Sequence, residues 1–422
     1  MRRILLYAIL YASICCMGND AAACTSAIIP GWASPDGRPL LWKHRDTDFL
    51  ENGIRHFKGE KYSFVGLVNS ASGGGEVWIG SNTAGFAIMN TASYCLKNDD
   101  VPASEMDREG ILMYRALEIC ASLADFEHYL DTLARPMGVE ANFGCIDASG
   151  GAAYYETDNY GYFKRDVSAM EEGYCVVTNF SLSGKRDRWK GYERYLTAET
   201  IFKRLKGELR VFPDMGPYII MDSLSRSYGH ALLGLDLARQ SVFRGACPAG
   251  TAVDQDFIPR RSTSASVVVQ GAKSGESPSD VVLWAALGYP ACSVMIPVPV
   301  SDEDHVPECM KGKGNLACGL SLQIKDRWIF RFGGMSNMEH YMDLGYVFPF
   351  CGNGNSLLEC SRRAERIIKD IFTGIRGDSA GEDEYLEGYD DLAGRLPGIL
   401  LDAFGWFVSR GGMEHGETCI SK

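Results

Sequence analysis

The feature that most constrains this chain is Cys24, which follows Ala21, Ala22 and Ala23 at the end of a leader-like stretch. Arg2 and Arg3 make a basic start, Ile4 to Ile14 is an apolar run, and the small residues Ala21 and Ala23 fit an A-x-A cleavage site, so residues 1–23 read as a secretory signal peptide. Cleavage there leaves Cys24 as the first residue. A free α-amine titrates near ~7.7–8.0 and a thiol near ~8.5, so one residue then carries a nucleophile and a base, both poised near neutrality. Whatever the chain folds into must hold that terminus in an ordered place.

Other readings of the same stretch stay open. As a membrane anchor it falls short of the roughly 20 apolar residues that a span needs. Lipidation of Cys24, or of Cys15 or Cys16, would block the amine or leave it upstream, although no leucine-rich lipidation sequence precedes any of the three. Cys24 is otherwise an ordinary cysteine near a cleaved end.

The 422 residues, 46% hydrophobic and 23% charged, have the make-up of a globular protein. A net charge of −12 without a basic cluster disfavours nucleic acid as partner and favours a small molecule. The fourteen cysteines include no CxxC pair, and the seven histidines form no HxH or HExxH pattern, so no metal or cofactor is expected. With Cys15 and Cys16 removed and Cys24 set aside, an odd number remains, so not all pair internally. Cys309, Cys318, Cys351, Cys360 and Cys419 crowd the C-terminal third as candidates for disulfides.

From Cys24 to about Val300 short β-rich runs alternate with Gly, Asp, Asn and Ser turns. Strands are expected at Thr25 to Ile29, Pro39 to Lys43, Tyr62 to Val68, Glu76 to Ile79, Gly85 to Thr91, Asn142 to Asp147, Ala152 to Glu156, Cys175 to Thr178, Ala265 to Gln270, Val281 to Leu287 and Cys292 to Val298. Helical spacing runs from Glu109 to Ala134, Glu193 to Lys206 and Asn355 to Thr373. Gly374 to Asp391 is acidic and glycine-rich and reads as a surface loop, and Leu392 to Val408 as an apolar stretch that packs back. Strands in runs followed by helices in runs indicate an α+β fold. The expected organisation is a leader over 1–23, a catalytic domain over 24–354 and a helical tail over 355–422.

Residues 24–48, CTSAIIPGWASPDGRPLLWKHRDTD, read as two strands joined by a Pro35–Asp36–Gly37 turn. A hairpin of this length returns Arg45 and Asp48 to the neighbourhood of Cys24. A guanidinium there favours a thiolate, and a carboxylate accepts from the amine. Asn82 stands in a turn between two strands and Asn179 at the end of an apolar one. Each offers a neutral, directional amide to an oxyanion. Arg194 opens a helix soon after, with Arg188 as its near competitor. Phe180, Trp32, Trp42 and Tyr94 are candidate lining for an apolar acyl pocket.

Taken in order, Cys24-Thr25, ArgxxAsp at Arg45 and Asp48, NxxG at Asn82, ThrAsn at Thr178 and Asn179, and the following arginine resemble the linear-amide hydrolases. These include choloylglycine hydrolase, penicillin V acylase, acid ceramidase and the acyltransferases related to isopenicillin acyltransferase. The resemblance extends through NFGCIDASGGAAYYET and LGYPACSVMIPV, roughly residues 24–300. It implies an N-terminal nucleophile hydrolase, an αββα four-layer sandwich carrying a C-terminal helical extension. Cys24 is then nucleophile and base, Arg45 and Asp48 assist it, Asn82 and Asn179 form the oxyanion hole, and Arg194 supports the site. The implied reaction is cleavage of a linear amide of an N-acyl compound through a thioester, with acyl transfer to an amine as a variant, in a secreted or periplasmic protein. Arginine follows Asn179 much sooner than in bile-salt hydrolases, which argues against bile salts. The alternatives are a lipoprotein binding module anchored through Cys24 and a cysteine dipeptidase with a similar Cys-Thr start.

Overall fold

The computed structural model describes residues 23–206, 211–239, 250–254, 256–332, 340–348, 356–378 and 381–409. Ahead of Ala23 the expected leader lies outside the described residues.

Two antiparallel sheets form the centre. The first contains β1 (Cys24–Ile29), β2 (Leu40–Asp46), β10 (Cys175–Val177), β11 (Thr263–Gln270), β12 (Val282–Leu287) and β13 (Ile296–Pro299), in the order β10-β1-β2-β11-β12-β13. The second is a meander in chain order: β3 (Asn52–Lys58), β4 (Ser63–Asn69), β5 (Ile79–Asn82), β6 (Ala87–Ala92), β7 (Ala141–Ile146), β8 (Ala152–Thr157) and β9 (Tyr162–Asp166). The sheets face each other, with β2 against β6 and β7, and β1 against β6 and β8. Helix α1 (Glu109–Ile119) covers β4 to β6 from outside, and Leu123, Phe126 and Leu130 of α2 (Leu123–Thr132) join the same apolar layer. On the far side α3 (Tyr192–Leu205) covers β10, α4 (Leu316–Ile324) covers β12 and α5 (Leu357–Asp378) covers β13. The order helix, sheet, sheet, helix is the expected α+β sandwich.

Differences from expectation have local causes. The helix expected from Glu109 to Ala134 breaks in two at Ser122, whose hydroxyl accepts from Asp125 N and starts a new helix. Strand β5 begins where the expected strand ends, because Val77 N instead bonds Gly110 O. Before β13 the chain makes a tight turn over Pro290–Cys292. The edge strands β3 and β9 were not anticipated. Sequences such as YFKRD carry charge where a sheet edge meets solvent, and that weakens the alternating pattern.

The expected loop over 374–391 is mostly helix. Gly374 and Gly377 lie inside α5, and α6 runs Glu382–Ser409. Glu382, Asp383 and Glu384 fall in its first turn, where the helix dipole favours anions, and Tyr389, Leu392 and Leu396 bury one face. The tail is tied to the sandwich by polar contacts: Glu365 of α5 accepts from Arg226 Nη2 (2.6 Å) and Met295 N (2.9 Å), and Tyr389 OH donates to Pro297 O (2.6 Å). Arg226 and Glu365 are both buried. The disulfides expected in this region are not formed by Cys309, Cys318 or Cys360, which sit buried as free thiols. Each serves as a small apolar filler, while Cys351 and Cys419 lie outside the described residues.

Candidate active site

The hairpin forms with Cys24 directly opposite Arg45 and Ser26 opposite Lys43. Directly paired residues share a face, so all four side chains point between the sheets. Ser26 Oγ lies 3.0 Å from Tyr154 OH of β8, and Lys43 Nζ donates to Asn90 Oδ1 (2.6 Å) and Trp78 O (2.9 Å). Arg45 Nη1 donates to Asn52 Oδ1 and Nη2 to Asn69 Oδ1 (2.9 Å), while its guanidinium lies 4.7 Å from the centre of the Trp78 ring. Burial pulls the Lys43 ammonium down to about 8 and Arg45 down to about 10, and negative charge on Cys24 opposes both shifts.

Asn179 and Arg194 close the other side. The Cys24 backbone nitrogen donates to Asn179 Oδ1 (2.9 Å), and Arg194 Nη2 donates to the same oxygen (2.8 Å). Arg194 Nη1 donates to Cys24 O (2.7 Å) and to Thr25 Oγ1 (2.8 Å). Burial, with Arg260 adding to it, lowers Arg194 to about 10. The guanidinium needs the space above Gly191, where φ is +77° and an added Cβ would stand 2.2 Å from Arg194 Nη2. Thr178 Oγ1 fixes this turn by donating to Gly191 O (3.0 Å). Upstream, Ala23 O accepts from Asp46 N (2.8 Å), so the β1–β2 ladder continues one residue past Cys24.

Of the six expected site residues, Cys24, Arg45, Asn179 and Arg194 converge. Asn179 arrives with its carbonyl oxygen toward Cys24, and its Nδ2 donates to Ala92 O (3.1 Å), so the expected oxyanion role does not match this orientation. Asn82 is elsewhere. It pairs with Phe64 on the α1 side of the second sheet, Nδ2 donates to Leu117 O (2.9 Å) and Cys120 O (2.7 Å), and Oδ1 accepts from Ala84 N and Phe86 N. Both amide hydrogens are used on the carbonyls that end α1, so Asn82 is a structural clamp. Asp48 is exposed in a bend after β2, and no hydrogen bond joins its side chain to Cys24 among the described residues. The buried carboxylate of this segment is Asp46, on the opposite face of β2, where it accepts from Thr263 Oγ1 (2.7 Å) and lies 3.0 Å from Arg260 Nε and 3.6 Å from His44 Nε2. Arg188 is exposed in a tight turn.

Of the candidate pocket residues, Trp42 faces away from Cys24, donating to Ser225 and Ser266, and Trp32 is exposed. Phe180 stacks on Trp189 at 4.1 Å. Tyr94 is half-buried under Lys190, whose Nζ sits 4.4 Å from the ring centre; burial raises its phenol, with negative charge on Cys24 adding to the rise. Lys43, Asn52, Asn69, Trp78 and Gly191 were not anticipated. Only Lys43 had a signal: two residues before Arg45 on a strand, it must share the face of Arg45. Among the described residues no cluster suited to a metal ion occurs, and no helix is long and apolar enough to cross a membrane.

The sequence matches no family profile and no curated protein. Among solved structures the chain is similar to a variant of a conjugated bile acid hydrolase from Clostridium perfringens, at 10% identity over 66% of this chain and 93% of that one, with a TM-score of 0.40. It is also similar to an N-acylethanolamine-hydrolyzing acid amidase ortholog of Caenorhabditis elegans (15%, 58% and 92%, TM-score 0.38). A third is a penicillin V acylase from Agrobacterium tumefaciens (12%, 65% and 86%, TM-score 0.38).

Proposed function

We propose that the mature chain begins at Cys24 and hydrolyses a linear amide of an N-acyl compound, in a secreted or periplasmic setting. The observation that carries this is the bond from the Cys24 nitrogen to Asn179 Oδ1 (2.9 Å), with Arg45 directly across the strand pair. In a chain starting at Cys24 that nitrogen is the α-amine. Asn179 then holds it beside its own sulfur, and Arg194 fixes Asn179 from the other side. The amine takes the thiol proton, and the sulfur attacks the amide carbonyl. The carbon–nitrogen bond breaks as the protonated amine returns its proton to the leaving nitrogen. Water, deprotonated by the same amine, cleaves the thioester and restores the thiol; an amine in place of water gives acyl transfer. Arg45 supplies positive charge directly across the strand pair from the sulfur, a role that Asn82 is not placed to fill.

The test is intact-mass analysis of the secreted protein together with a panel of N-acyl amino acids, conjugated bile salts, penicillin V, ceramide and dipeptides. A mass that starts at Cys24 and release of a carboxylic acid from an N-acyl substrate, lost in Cys24→Ala, are expected. A diacylglyceryl-modified Cys24 supports the lipoprotein alternative instead, and turnover confined to dipeptides the dipeptidase.

A further inference from the structure

Lys43 and Arg45 are consecutive same-face residues of one strand, 2% and 4% exposed, and among the described residues neither forms an ion pair with a carboxylate. Every acceptor they reach is neutral: Asn90 Oδ1 and Trp78 O for Lys43, Asn52 Oδ1 and Asn69 Oδ1 for Arg45. Buried cations are normally matched by an anion, since a neutral acceptor offsets only part of the lost hydration. The nearest carboxylates act at longer range. Glu76 bears on Arg45 from a half-buried position, and Glu109 bears on Lys43 but is itself held at about 7 by burial. Arg194, reaching Cys24 from the helix side, differs: Asp46 and Glu193 both offset it. The surplus of positive charge therefore lies on the inner face, next to the sulfur.

When the Cys24 thiol passes its proton to the α-amine, thiolate and ammonium cancel, so the two inner cations remain unmatched until something anionic enters. Resting on the amide hydrolase reading above, we propose that Lys43, with Arg45, recognises a carboxylate on the substrate, so that the enzyme takes N-acyl amino acids in preference to neutral N-acyl amines. Lys43 lies one diagonal step from Cys24 on the strand pair, a Cα separation of roughly 7–8 Å. The α-carboxylate of an acyl amino acid stands two bonds from the scissile nitrogen, which is the reach this spacing allows. Lys43 is a specificity residue here: the chemistry is carried by Cys24.

The experiment compares matched pairs on the processed wild-type protein: N-octanoyl-, N-dodecanoyl- and N-phenylacetylglycine, each against its glycinamide. We expect kcat/KM to favour the acid by about tenfold or more, as charge-assisted recognition does. Lys43→Met and Lys43→Gln should both lower the acid's kcat/KM toward that of the amide, mainly through KM, and lower the amide's kcat/KM by a smaller factor. Calorimetric binding of the same ligands to Cys24→Ala gives the preference without turnover. Equal or better hydrolysis of the glycinamides overturns the carboxylate proposal and leaves the hydrolase reading standing. A preference that survives in a folded Lys43 variant overturns the assignment to Lys43. Failure of every pair both to bind and to be hydrolysed overturns the proposal, and acid release from the other panel substrates then decides the hydrolase reading separately. Should both variants fail to fold, the wild-type ratio alone decides.

Discussion

Two substitutions at Asn179 separate two chemistries that one asparagine can serve. If the side chain holds the Cys24 nitrogen through its oxygen, Asn179→Asp keeps both acceptor bonds, to the Cys24 nitrogen (2.9 Å) and to Arg194 Nη2 (2.8 Å). It loses the donation to Ala92 O (3.1 Å), and Arg194 neutralises the new charge. Asn179→Ala loses both acceptor bonds and the donation to Ala92 O. A hydrogen bond to a charged group contributes ~1.5–3 kcal/mol, so if its loss falls on the transition state the alanine enzyme slows by about 10- to 150-fold. The aspartate enzyme should stay within about tenfold of wild type. An oxyanion donor behaves otherwise. Its removal typically costs about 10²–10³ in kcat, and a carboxylate beside a developing oxyanion is worse than nothing. The order of the two variants is the discriminating result: Asp above Ala in kcat supports the amine-holding role. Steady-state rates on the best panel substrate, with thermal melts to show that both variants fold, provide the measurement. An aspartate enzyme as slow as the alanine enzyme, with a normal melt, refutes the reasoning.

Asn82→Ala should lower stability by about 2–4 kcal/mol in urea melts, since it strands the carbonyls of Leu117 and Cys120, yet leave kcat near wild type; a selective loss of kcat would return Asn82 to the chemistry. Gly191→Ala places a methyl against Arg194 and a side chain at φ +77°, so both the melting temperature and kcat should fall, the first by the equivalent of about 1 kcal/mol or more; an unchanged kcat would show that Arg194 can move without consequence. Burial holds His44 at about 4, below its ordinary value, so between about 4 and 6.5 the unfolded chain binds more protons and this residue's contribution to stability falls as pH falls. Asp254 and Glu109, held up at about 6 and 7, act in the opposite sense. Urea titrations at neutral and acidic pH should therefore find His44→Gln less acid-sensitive than wild type by up to about 3 kcal/mol, and identical acid sensitivity would count against a neutral buried imidazole.

What the sequence shows of this site is what lies on the hairpin. Cys24, Arg45 and Lys43 are related by strand alternation and one turn, and both rules are local. Asn179 and Arg194 were legible as residues, but the direction in which the Asn179 amide points depends on Ala92, 87 positions away, which no local pattern encodes. Asn82 was misread for the same kind of reason. An NxxG turn looks alike whether its amide faces a substrate or the end of a helix, and the helix end at Leu117 and Cys120 comes from elsewhere in the chain. Asp48 was placed by counting along the sequence, whereas β2 runs on to Asp46 and the chain then bends outward. The tail was half legible because Asn355 to Thr373 and Leu392 to Val408 carry apolar residues at helical spacing, while the glycines and carboxylates between them argue for a loop.

The buried pair between Arg226 and Glu365 bears on how this molecule is made. Arg226 also donates to Pro290 O and Ser293 O, so it gathers the turn that leads into β13, and it pairs locally with Asp222 (2.9 Å), but its buried carboxylate partner arrives from α5, 139 positions later. A ribosome delivers the strands around Cys24 first, and until α5 emerges the nascent chain carries a guanidinium offset by Asp222 alone and an unbonded amide at Met295. Completion of the sandwich thus waits for α5 to leave the ribosome. Removing α5 and α6 would yield a protein whose Arg226 lacks its buried partner and which is open to proteolysis as a whole, rather than a smaller stable one.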